Sequence, residues 1–269
     1  MKTLEVALGD RRYPIVFTAD LPGSTVTELL NDGLVPSARR ALLVTDGNVD
    51  PLYGDGVREA LARSSLQVST HVLESGESTK RLDVVSEVID TALQAGLGRG
   101  DLVVALGGGV VGDIAGFCAS ILHRGVSFLQ VPTSLLAQVD SAVGGKTGVN
   151  HALGKNLVGS FWQPVAVVSS TAVLGSLPER ERRCGLSEAI KHGMIADEAL
   201  VAYCTEHAHQ LQELEPEPIA HVVRRCCEIK AEIVAKDERE AGCRALLNFG
   251  HTLGHAYEQV LGYGALTHG

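Results

Sequence analysis

Four stretches of the sequence combine residue types and spacings that chemistry can use. The first is Gly107-Gly108-Gly109-Val110-Val111-Gly112-Asp113, which matches G-x-G-x-x-G. It follows the apolar run Leu102–Leu106 and precedes a helical pattern. In that strand–turn–helix context, glycines let backbone N–H groups approach a pyrophosphate at a helix N-terminus. A standard dinucleotide fingerprint carries an acid roughly 20 residues beyond the loop, and none stands there, near Pro132. Acids that follow other strand-like runs offer an alternative. Asp46-Gly47-Asn48 follows ALLVT, and Glu77 and Lys80 follow VSTHVL. A carboxylate just past a strand can accept ribose hydroxyls, although each of these residues alone also fits a turn or a helix N-cap.

The second stretch runs from Arg124 to Asn156 and contains Gly144-Gly145-Lys146-Thr147. A P-loop would need glycine at 140, where Asp140 stands, and the GKN at 154–156 would need glycine at 149, which is Val149. Lys146 and Lys155 are therefore lysines on glycine-rich segments outside a P-loop. They suit an anionic substrate, since an ammonium is a mobile point charge with three donors; the plain alternative is a solvated surface lysine. In the third stretch Glu188, Lys191 and His192 share one helix face, as a surface ion pair also would.

The fourth stretch is Arg244-Ala-Leu-Leu-Asn248-Phe-Gly-His251-Thr-Leu-Gly-His255. Histidines four apart face the same way, a common metal-ligand spacing, but Thr252 stands where a zinc protease needs its general-base glutamate. His268 follows later. Catalytic zinc takes three protein ligands, so three histidines plus Glu188 exceed the need and spacing does not choose among them. His207, His209 and His221 lie in polar helices and are assigned no role.

The elements that must position these residues follow from composition and periodicity. The chain has 269 residues, 45% hydrophobic and 20% charged, with a net charge of −9. The length predicts two domains, and the composition excludes a disordered chain. The acidic balance argues against nucleic acid or an anionic membrane as partner, yet allows an anionic small molecule in a locally basic pocket. Six cysteines without a CxxC spacing point to a reducing compartment. No apolar run is long enough for a membrane span, and residues 1–20 do not read as a signal peptide. Short β-branched runs at Ala41–Thr45, Val68–Leu73, Leu102–Leu106, Phe128–Val131 and Val165–Ser169 alternate with helical patterns such as Arg81–Ala95. This predicts parallel βαβ units with helices on both faces. From Leu177 the pattern is helical: Pro178–Ile195, Ala199–Glu213, Pro218–Lys236 and Phe249–Leu261. The boundary falls near residue 172. The glycines clustered at 107–116 and 144–159 suggest backbone lying close to a ligand.

Taken together, GESTK, GGGVVGD, RGVSFLQVPTSLLAQVDSAVGGKTGVN, LGKNLVGSFWQP, LSEAIKHG, DERE and LLNFGHTLGHAYE resemble the 3-dehydroquinate synthase family of sugar-phosphate cyclases over essentially the whole chain. The resemblance implies an α/β, Rossmann-like NAD-binding domain over 1–172 and an all-α metal and substrate domain over 173–269, with the active site in the cleft between them. It implies Zn2+ or Co2+ on Glu188, His251 and His268. It implies NAD+ held by Asp46, Asn48, Glu77, Lys80, Gly108, Gly109, Val110, Asp113, Thr133, Ser134, Lys155 and Ser176. Contacts to the substrate, 3-deoxy-D-arabino-heptulosonate 7-phosphate, would come from Arg124, Asp140, Lys146, Asn156, Lys191, Lys230, Arg244, Asn248 and His255.

The implied activity is that of a cytoplasmic, homodimeric lyase of the shikimate pathway in aromatic amino-acid biosynthesis. The rivals are sibling cyclases making valiolone- or inosose-type rings, metal-dependent polyol dehydrogenases that share the glycine loop, and an inactive NAD-binding fragment. The siblings resemble the chain less through DSAVGGKTGVN and LGKN. Ser176 stands where the family usually has Thr, and SSTAV at 169–173 where an Asp is common. Family members continue past the final His268-Gly269, so weakened metal binding and exposed apolar surface are expected.

Overall fold

A computed structural model describes residues 2–261 and 266–269, with the side chains of all of these except His255, Glu258 and Gln259. The strand Leu102–Gly107 (β5) is buried at every position, as an uninterrupted apolar run sheltered on both faces must be. It lies between Arg40–Asp46 (β3) and Ser127–Pro132 (β6) in a seven-stranded sheet whose other strands are Lys2–Val6 (β1), Tyr13–Thr18 (β2), Gln67–Leu73 (β4) and Ala166–Ser170 (β9), in the order β1-β2-β9-β6-β5-β3-β4. These five strands pair in parallel, with Leu43 opposite Val104 and Val104 opposite Leu129. The period of two sorts their side chains. Leu42 and Val44 join one core with α3 (Leu82–Gln94) and α4 (Gly109–Ile121). Ala41 and Leu43 face the opposite core with α1 (Pro22–Asn31) and α2 (Asp55–Arg63).

Two elements differ from the expected pattern. Residues 2–18 form an antiparallel hairpin, β1 (Lys2–Val6) and β2 (Tyr13–Thr18), and β2 extends the sheet by pairing in parallel with β9. The glycine-rich segment forms a second hairpin, β7 (Lys146–His151) and β8 (Gly154–Phe161). Here the expectation that glycine marks approach to a ligand is corrected for two positions. A Cβ on Gly159 would sit 2.1 Å from the Thr147 carbonyl, and one on Gly148 would sit 2.4 Å from the Val158 carbonyl. Their bareness lets the two strands cross closely. A Cβ on Gly116 of α4 would meet Thr147 at 2.4 Å, so that glycine seats the hairpin on the helix. Trp162 anchors the far end. Its indole N–H donates to the Val126 carbonyl (3.0 Å), and its ring covers Gly125, whose φ of +127° suits glycine.

Helices follow the last strand: α5 (Glu179–Ala196), α6 (Glu198–Glu206), α7 (Ala208–Gln212), α8 (Pro216–Lys236) and α9 (His251–Leu261). The helix expected over Ala199–Glu213 breaks at His207, which leaves helical geometry with φ −103° and ψ 22°. The His207 ring nitrogen bonds the Tyr203 carbonyl (3.1 Å) and closes that turn. A single helical turn at Ala137–Ser141 carries Val139 into the helical core, and α8 packs Cys227, Ala231 and Val234 against Tyr13 and Ile15. No helix among the described residues is long and apolar enough to cross a membrane.

Candidate functional site

The parallel strands deliver the glycine loop to their C-terminal ends. Gly108 is extended and caps α4, while the Gly107 carbonyl accepts from the N–H of buried Thr133 (2.9 Å). A Cβ at Gly109 would lie 3.0 Å from Ser141 Oγ and one at Gly108 would lie 3.4 Å from Ser134 Oγ. Bare backbone is thus what keeps the N-terminus of α4 open, as a pyrophosphate cradle needs. Val110 is partly buried in the first turn beyond. Asp46 ends β3 and accepts from the N–H of Asn48 (2.8 Å) and from Ser75 Oγ (3.2 Å) through one oxygen, Oδ1. Ser176 accepts from the Tyr53 hydroxyl (2.8 Å) and bonds the Val173 carbonyl (3.2 Å).

Beside this loop lies a polar ring. Lys80, 5% exposed, pairs with Asp113 Oδ2 (2.5 Å) and donates to Asn156 Oδ1 (2.5 Å). Burial pushes the Asp113 carboxyl up from its ordinary range, and Lys80 opposes that rise. Glu77 accepts from Asn150 Nδ2 (2.7 Å). Lys155 lies next to Asn156 on β8 and is half-buried.

A basic hub adjoins it. Asp140 Oδ1 accepts from Lys230 Nζ (2.7 Å) and faces His192 Nε2 (3.6 Å) and Lys191 Nζ (3.9 Å). Burial alone would raise the Asp140 carboxyl, but Lys230, Lys191 and His192 hold it far below the usual carboxylate range. Burial lowers Lys230 despite Asp140, and pushes His192, which is fully buried, down to about 4. Arg244, 1% exposed, donates to the carbonyls of Gly144 (2.8 Å) and Glu238, and stacks over Phe161 at 5.6 Å. Burial lowers its guanidinium, and its Nε has no hydrogen-bond partner among the described residues. Glu240 bridges Lys146 Nζ (2.5 Å) and Asn248 Nδ2 (2.9 Å).

At the end of this hub, ligand atoms of Glu188, His251 and His268 all lie within 4.8 Å of one another. The two Nε2 atoms face each other at 3.0 Å. Glu188 Oε2 touches Lys191 Nζ but is not aligned with any hydrogen-bond donor among the described residues. Two imidazoles and a carboxylate this close together are a donor set of the kind that zinc takes. Spacing left this choice open; among the described residues these three converge.

Arg124 departs from the expected set. It follows α4 with φ +67° and precedes β6, so it lies at the N-terminal edge of the sheet. A strand of this length puts that edge about 20 Å from the glycine loop. Within one chain it does not join the other residues, because α4 carries the backbone back across the sheet. The His255 side chain lies outside the described residues. Sequence reasoning missed Asn150, Glu240 and Tyr13. Tyr13 accepts through its hydroxyl from the Gly144 N–H (2.9 Å), and burial pushes its phenol up. Asn150 and Glu240 both sat inside quoted motifs, but nothing in their residue type marked a contact.

A model described as 3-dehydroquinate synthase N-terminal matches residues 70–184, and one described as 3-dehydroquinate synthase C-terminal matches residues 185–269. Among solved structures, a 2-deoxy-scyllo-inosose synthase complexed with carbaglucose-6-phosphate, NAD+ and Co2+ superposes with TM-score 0.90 at 26% identity, over 99% of this chain and 72% of that one. A 2-epi-5-epi-valiolone synthase from Streptomyces hygroscopicus subsp. jinggangensis 5008, with NAD+ and Zn2+ bound, gives 0.85 at 30% identity, over 95% and 70%. An NADH-dependent butanol dehydrogenase A from Thermotoga maritima shares the fold at TM-score 0.67 and 15% identity, over 94% and 68%.

Proposed function

The chain belongs to the 3-dehydroquinate synthase family of sugar-phosphate cyclases, and from that premise we propose that it is a 3-dehydroquinate synthase. It would convert 3-deoxy-D-arabino-heptulosonate 7-phosphate to 3-dehydroquinate and phosphate, as a lyase of the shikimate pathway supplying aromatic amino acids. The observation that carries the reading is the convergence of Glu188, His251 and His268 beside the hub of Lys191, Asp140 and Lys230. A metal donor set and a cationic pocket adjoin, as a phosphorylated polyol acid requires.

We assign Zn2+ or Co2+ to those three ligands, and NAD+ to the loop of Gly108 and Gly109 with Val110, Asp46, Asn48, Glu77, Lys80, Asp113, Thr133, Ser134, Lys155 and Ser176. When they are bound, one substrate alcohol is oxidised and later re-reduced by the cofactor, with the metal as Lewis acid at the neighbouring hydroxyls. The remaining work falls to the chain itself. Lys146, Lys191, Lys230, Asn156, Asn248 and Arg244 neutralise and orient phosphate and carboxylate, so positioning supplies much of the rate. Asp140 stays ionised and aims the two ammonium groups. His192, neutral at physiological pH, presents an uncharged nitrogen to Asp140 rather than competing with the lysines for it. Phosphate is lost by elimination, the substrate phosphate itself accepting the proton, and an intramolecular aldol closes the ring.

A second reading, an inosose- or valiolone-forming sibling, is favoured by the identities of 26% and 30% to such enzymes. Phosphate release by the purified chain with NAD+ and Zn2+ separates the two. Release from the heptulosonate 7-phosphate, abolished by chelator and without net NADH, is the expected result. Release from glucose 6-phosphate instead would move the chain to the inosose type. A cytoplasmic location is part of the proposal; all six cysteines are free thiols and five are buried.

A further inference from the structure

Asn150 stands at the irregularity in register between Val149 and His151, where the β7–β8 ladder loosens. It uses three of its polar groups on three different residues. Its N–H donates to the Lys80 carbonyl (2.8 Å), its Nδ2 to Glu77 Oε1 (2.7 Å), and its Oδ1 accepts from the Asn156 N–H (3.0 Å). Asn156 returns the chain of bonds to its start, because its Oδ1 accepts from Lys80 Nζ. Asn156 holds φ at +55°, in the left-handed region that asparagine enters more readily than most residues. The tip of the intervening turn adds little: Leu153 is 85% exposed, while the ladder behind it is seated on α4. Two side-chain contacts thus hold Asn156: one comes from Lys80 directly, and the other runs through Asn150 to Glu77.

We propose that Asn150 is a positioning residue that makes the set of Asn156, on the substrate side, depend on occupancy of the Glu77–Lys80 loop. The inference rests on the assignment of NAD+ to that loop. Among the described residues Asn150 bonds to both sides, so fixing Glu77 and Lys80 fixes the amide that holds Asn156. By reciprocity, substrate gripped by Asn156 tightens the hold on cofactor. No atom of Asn150 needs to touch either ligand.

The test is amide hydrogen exchange across residues 151–157, with and without NAD+, in the wild-type chain and in Asn150→Asp. The aspartate keeps the shape and the acceptor for Asn156, but replaces the donor to Glu77 with a like charge. NAD+ should slow exchange of the turn in the wild type. In Asn150→Asp that protection should vanish and calorimetric NAD+ affinity should fall about tenfold. Asn150→Ser, which drops both amide contacts without adding charge, should lose the protection too, with an unchanged melting temperature as the control for folding. A wild type that binds NAD+ without protecting the turn, or variants that retain the protection, would overturn the role of Asn150 alone. A wild type that binds no NAD+ in the calorimeter would instead overturn the cofactor assignment on which it rests.

Discussion

The hub around Asp140 and the cluster of Glu188, His251 and His268 are neighbours built on opposite principles. Around Asp140 opposite charges meet: one carboxylate faces two ammonium groups and a neutral imidazole, nearly all out of solvent. In the cluster groups of one kind gather, with two imidazole nitrogens that share a hydrogen bond and a carboxylate brought close together. Lys191 belongs to both, touching Glu188 and facing Asp140. The hub spends its polar groups internally and gains a fixed geometry. The cluster gathers three potential metal-ligand atoms within 4.8 Å of one another, as a cation site would need. Rigidity and affinity are thus separated by residue, and substitution should separate them by measurement.

The largest effect should come from Lys230→Met, which keeps the stem and removes the charge. Asp140 is left buried with Lys191 as its remaining cation, and urea unfolding should show a loss of about 3 kcal/mol. A loss under about 0.5 kcal/mol would mean that solvent reaches the hub and the contrast fails. Next comes His251→Ala. Zinc affinity by calorimetry should fall at least about 100-fold, while the metal-free chain keeps its stability within about 0.5 kcal/mol. Instability of the metal-free variant would show the cluster to be structural. Gly144→Ala should cost about 1–3 kcal/mol, since its φ is +95° and the added Cβ would sit 2.6 Å from the Arg244 guanidinium. Moving Arg244 should raise the KM for the sugar phosphate more than it lowers kcat. The smallest change belongs to Glu240→Gln. It frees half-exposed Lys146 from an internal carboxylate, and a drop in KM of about threefold, fading with added salt, is expected.

Much of this was legible before any coordinates. The strand Leu102–Gly107 and the helices at Glu179–Ala196 and Pro216–Lys236 announce themselves because burial on both faces, or on one stripe, imposes a period on the sequence. Glu188, Lys191 and His192 fall on one helix face by spacing alone. The β7–β8 hairpin escaped because glycine at 148 and 159 serves strand crossing, and composition cannot distinguish that from a ligand loop. Asn150 and Glu240 escaped because their roles lie in partners 73 and 94 residues distant in the chain. The same remoteness explains Arg124: its motif is contiguous with the site residues in sequence, but a helix and a strand edge carry it to the other end of the sheet.

The seat of Trp162 has a practical consequence. The sequence holds one tryptophan, and that indole is wedged where the hairpin leaves α4, against Gly125 and the Val126 carbonyl. Indole emission from this chain thus arises at a single known address. Its wavelength and quenching report the wetness of one joint, with no dye attached and no competing fluorophore of its kind, which gives the molecule a native optical gauge of whether the hairpin is seated.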